Sequence, residues 1–131
     1  MTVFNPLPDL SALRARLVES HELIVACYCA QWCDTCRAYR ADFENLAAQW
    51  PRHVFVWIDI EDSPDLLGDV DVENFPTIAL QDARRTVFFG TLLPYASHLD
   101  RLIGRSDSLT DTPTEAPPLL GPLLVTETAG K

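Results

Sequence analysis

Leu10, Leu13 and Leu17 recur at helical spacing, and Asp9 or Ser11 can cap them, so the chain is expected to open with a helix near 9–20. A mostly apolar run then reads as a buried strand from Glu22 to Ala30. Cys36, Tyr39, Phe43, Leu46 and Trp50 follow at steps of three and four, an amphipathic helix stopped by Pro51. Val54 to Ile60, rich in β-branched and aromatic residues, is a second strand. Ser63 and Pro64 start a short helix that ends near Gly68 or Val70. Thr77 to Gln81 and Arg85 to Phe89 read as a hairpin around Asp82-Ala83-Arg84, and Pro94 opens a last helix with Tyr95, Leu99, Leu102 and Ile103 on one face. This order predicts an α/β fold, a central mixed sheet with helices on both faces.

Beyond residue 105 the pattern changes. Ser, Thr, Pro and acids dominate, and Pro113, Pro117, Pro118 and Pro122 argue against a long helix. The expectation is a domain over 1–105 and a disordered tail over 106–131, with Leu119 to Val125 an apolar island able to dock on the domain or a partner. Charge narrows the partners. A net charge of −9 disfavours nucleic acid and anionic membranes. Asp59, Glu61, Asp62, Asp65, Asp69, Asp71 and Glu73 fall in one stretch without Lys or Arg, read as a solvated face or as a guide for basic partner surfaces. The N-terminus carries no basic and apolar leader, and the expected address is the cytoplasm.

Four cysteines lie between Cys27 and Cys36, too close together for a secreted disulfide framework. Cys33 and Cys36 sit three apart where the long helix begins. Its unpaired N–H groups favour a thiolate at Cys33, and the pair reads as a reversible dithiol. Cys27 and Cys29 are expected on opposite faces of the preceding strand. Cys27 is read as a small core residue, and Cys29 as packing that could approach the dithiol. That expected divergence argues against a four-cysteine zinc site. His21, His53 and His98 read as surface or helix-end residues.

Trp32-Cys33-Asp34-Thr35-Cys36 after a strand, with Phe75-Pro76-Thr77 before the hairpin, resembles the thioredoxin family over residues 9–105; Ala30, Phe43 and Gly90 support the likeness. The resemblance implies a thioredoxin-like fold and a cis Phe75–Pro76 bond. It also implies a monomeric thiol–disulfide oxidoreductase without cofactor or metal. Cys33 is then the nucleophile toward a protein disulfide, and Cys36 resolves the mixed disulfide. Trp32, Phe75 and Pro76 form the apolar platform around the sulfur, and the backbone beside Phe75 pairs with an extended substrate. A reductase or other dithiol donor restores the thiols.

Three departures stand out. Asp34 and Thr35 separate the cysteines; Asp34 suits the helix dipole but opposes a thiolate, and Arg37 can offset it. The family's buried acid falls on Cys27, and its buried lysine on Trp57. These losses leave open a second reading, a thioredoxin-fold module or assembly chaperone that holds a client with little redox turnover.

Overall fold

The computed structural model describes residues 3–19, 21–68, 70, 72, 75–92, 94–109, 113 and 116–129, with side chains from 125 onward excepted. Five strands form one sheet in the order β1-β3-β2-β4-β5: β1 Val3–Phe4, β2 Ile24–Cys29, β3 Val54–Asp59, β4 Thr77–Gln81 and β5 Thr86–Thr91. β1, β3 and β2 run parallel, whereas β4 and β5 run antiparallel, giving the mixed α/β sheet that the element order implies. The helices are α1 Leu10–Val18, α2 Asp34–Gln49, α3 Ala96–Gly104 and α4 Leu120–Ala129, and 3-10 turns occupy Pro64–Leu66 and Ser106–Ser108.

The sheet divides the core into two layers, because successive residues of a strand point to opposite faces. Val25, Cys27 and Cys29 of β2 face α2 and α3, packing with Tyr39, Phe43, Leu46, Leu99 and Ile103. Ile24, Ala26 and Tyr28 face the other way, toward Leu13 and Leu17 of α1 and Leu120 and Leu124 of α4. Every residue of β2 is buried, which is what a central strand covered on both faces requires. The expected opposition of Cys27 and Cys29 is therefore corrected. Residues two apart share a face, and their sulfurs lie 3.6 Å from each other.

The disordered tail expected after residue 105 is not what the described part of that segment forms. Gln81, 1% exposed, anchors it from β4: its side-chain amide donates to the Pro118 carbonyl at 3.1 Å and accepts from the Leu120 N–H at 2.9 Å. Arg14 Nε donates to the Leu124 carbonyl, tying α4 to α1. Pro122 is no obstacle, because it stands in the first turn of α4, where no intrahelical N–H bond is lost. Gly68 completes the seat. Its φ is +64°, and a Cβ there would come within 3.0 Å of Pro118 Cδ. The apolar island thus docks on its own domain.

Candidate functional site

Cys33 is the N-cap of α2. Its N–H donates to the Ala30 carbonyl at 3.0 Å and its carbonyl accepts from Arg37 N–H at 3.1 Å, so the loop from β2 turns tightly into the helix. The thiol is free and half-buried. Trp32, before it, is 63% exposed and meets Phe75 edge to face, with ring centroids 5.6 Å apart. The Phe75–Pro76 bond is cis, and Pro76 is buried at the head of β4. An open aromatic edge and an accessible sulfur are thereby presented together at the end of the sheet where β2 stops. Asp34, in the first turn of α2, is paired with the exposed Arg37 three residues on, so the helix carries its own counter-ion to the carboxylate.

Cys36 is buried, at 1% exposure, and its bond is the main departure from the sequence reading. It is joined to Cys29, not to Cys33: a disulfide links the end of β2 to the first turn of α2, with Cα atoms 6.0 Å apart. The bond follows from the shared face of Cys27 and Cys29, which aims Cys29 into the layer that receives Cys36. Cys29, read as packing that could approach the dithiol, is thus brought into the sulfur cluster. Alternation along the strand was the signal that could have found it.

Cys27 completes the group. It is fully buried and unbonded, and burial pushes its thiol well above the ordinary cysteine range, while Arg40 pulls it partly back. Its neighbour across the β2–β3 ladder is Trp57, so the two positions at which the family's charged pair was expected do lie side by side. Arg40 of α2 sits over the Trp57 ring, 5.0 Å from its centroid, and brings a cation close to this otherwise apolar pair. A cavity of about 310 Å³ opens here, lined among others by Cys36, Arg37, Arg40, Trp57, Asp59 and Asp62. Asp59 Oδ1 accepts from the N–H groups of Glu61 and Asp62, holding the start of the acidic stretch beside the sulfurs. Asp69, Asp71 and Glu73 lie outside the described residues.

No group of three or more potential ligands among the described residues is placed to hold a metal ion. Of the histidines, His53 lies just past the end of α2, within the surface or helix-end reading, but it is buried. It is 8% exposed, stacks on Trp50 and accepts the Leu23 N–H at Nδ1.

The Thioredoxin family model matches residues 10–88. The chain is 34% identical over 70 residues to a thioredoxin of Ophiophagus hannah, covering 53% of this chain and 67% of that one. It is 24% identical over 116 residues to the putative thioredoxin H10 of Arabidopsis thaliana, covering 86% and 67%. Among solved structures, a thioredoxin of Nicotiana alata superposes with a TM-score of 0.65 at 19% identity, covering 80% of this chain and 92% of that one. The oxidised mitochondrial thioredoxin 3 of Saccharomyces cerevisiae gives 0.58 at 21%, covering 79% and 91%.

Proposed function

Since the chain belongs to the thioredoxin family, we propose that it is a thiol–disulfide oxidoreductase acting on protein disulfides through Cys33. The observation that carries this reading is a free, half-exposed thiol at the N-cap of α2, directly after the exposed Trp32. In the reaction, Cys33 Sγ as thiolate attacks one sulfur of the substrate disulfide and the other sulfur leaves as a thiolate. Once a dithiol donor has reduced the Cys29–Cys36 bond, Cys36 Sγ as thiolate attacks Cys33 Sγ and expels the second substrate thiol. Two electrons pass to the substrate, and the enzyme is left with a Cys33–Cys36 disulfide for a reductase or small dithiol to reopen. Trp32, Phe75 and Pro76 supply the apolar platform for the substrate chain, and the backbone at Phe75 pairs with an extended segment of it. The acids beside the cavity favour substrates with basic surfaces near their disulfides.

Reduction of insulin in the presence of dithiothreitol tests the reading. The protein is expected to accelerate it, and Cys33→Ser to bring the rate down to the uncatalysed background. A Cys33→Ser variant that retains turnover would overturn the assignment. The client-binding module has one observation in its favour, the engagement of Cys36 by Cys29. Absence of insulin turnover by the unmodified protein would favour it.

A further inference from the structure

Cys36 can be reached by two sulfurs. Cys33 lies one turn before it on α2, and Cys29 comes from the end of β2 and holds it in this structure. We propose that Cys29 is a third exchanging thiol, which takes Cys36 from Cys33 and moves the disulfide from the surface into the core. The proposal rests on the oxidoreductase reading and extends it by one step. After a substrate has been reduced, Cys29 Sγ attacks Cys36 Sγ. The Cys33–Cys36 bond breaks, the Cys29–Cys36 bond forms, and Cys33 leaves as a thiolate. The step is redox-neutral: one S–S bond replaces another, and the proton of the Cys29 thiol goes to solvent or to Cys33.

Burial gives the exchange its direction. Cys29 and Cys36 are each 1% exposed, so a neutral disulfide is well suited to their site and a charged sulfur is not. Cys33 is half-exposed at a helix start, where a freed thiolate keeps water and unpaired N–H groups around it. Moving the bond inward therefore moves the charge-bearing sulfur outward. Cys27 helps the attacking sulfur. It lies 3.6 Å from Cys29, and burial keeps it protonated, so its S–H can donate to Cys29 when that sulfur carries charge.

The product is a protein with an oxidised interior and a single reactive thiol at the surface. Cys33 can then form a mixed disulfide that Cys36 is not free to resolve, so the chain captures a substrate where the open dithiol would release it. The route back runs through Cys33. Attack of its thiolate on Cys36 regenerates the surface disulfide, and an external dithiol can reach that bond at Cys33.

The experiment is a thiol map of the wild-type chain. The fully reduced protein is reoxidised with one molar equivalent of diamide, which leaves no mixed disulfide on Cys33, and quenched with acid. Free thiols are blocked with N-ethylmaleimide, and the remainder is reduced and labelled with iodoacetamide. All four cysteines fall in the single tryptic peptide Leu17–Arg37, so tandem mass spectrometry assigns each label. The expected pattern is maleimide on Cys27 and Cys33, and acetamide on Cys29 and Cys36. Acetamide chiefly on Cys33 and Cys36 would overturn the proposal while leaving the oxidoreductase reading intact.

The second arm measures dithiothreitol reduction of the buried bridge. Cys33→Ser is expected to be reduced at least about tenfold more slowly than wild type, because the surface relay is lost. Equal rates would make the bridge a structural staple and overturn the exchange. A correct map with the expected slowing, but no insulin turnover, would sustain the exchange and refute the oxidoreductase reading.

Discussion

At the scale of single residues, the sulfur layer is packed tightly enough to leave polar atoms without partners. The Tyr39 hydroxyl is buried beneath α2 and, among the described residues, makes no hydrogen bond; the Tyr28 hydroxyl on the other side of the sheet is in the same position. An unpartnered buried hydroxyl costs about 1–3 kcal/mol, and removing it leaves the ring contacts in place. Tyr39→Phe is therefore expected to raise stability by up to about 1 kcal/mol, read as a higher urea midpoint with an unchanged slope. A lower midpoint would show that the hydroxyl has a partner that its surroundings do not suggest. Tyr39 packs on Phe43, whose ring also meets Phe55 and Trp57, so the same substitution reports on the aromatic bed beneath the cysteines.

At the scale of elements, the chain was most legible where its pattern was strong. β2, α2, β3 and β4 begin and end within two residues of the positions that periodicity and Pro51 imply, because each carries an unbroken apolar face. β1 was not legible, since two residues hold no period. α4 was hidden by Gly121 and Pro122, which read as breakers but stand in the helix's first turn, where both are tolerated. Of the candidate site, the residues Trp32, Cys33, Asp34, Cys36, Phe75 and Pro76 were readable from two motifs. The bond of Cys36 was not, because a motif names its own cysteines and Cys29 reaches Cys36 from the strand that α2 covers, within the same core layer.

The docking of α4 carries its own prediction. Leu120 is fully buried against the α1 face of the sheet, so Leu120→Ala is expected to cost about 2–4 kcal/mol and lower the melting temperature by several degrees. A melting temperature within a degree of wild type would mean that the tail contributes nothing to the fold.

For the whole molecule, stability is expected to depend on pH through the loop joining α2 to β3. Burial holds His53 below its ordinary value of 6.5, with Glu22 and Asp107 opposing that shift in part. A depressed group adds stability that is complete above its unfolded value and is lost as pH falls, because the unfolded chain then binds the proton more readily. Melting temperature should accordingly fall between pH 7.5 and pH 5, more steeply for wild type than for His53→Gln. Parallel curves for the two proteins would remove His53 as the cause.

The two-layered core has a consequence for how this protein can change. Sulfur chemistry occupies one side of the sheet and the seat of α4 the other, with the wholly buried β2 between them. Substitutions separated by such a wall share no partners, and their effects add. The C-terminal segment is therefore a module that can be lengthened, replaced or fused to another chain while the thiols keep their order of reaction. The cysteine cluster, in turn, can be retuned without loosening the tail.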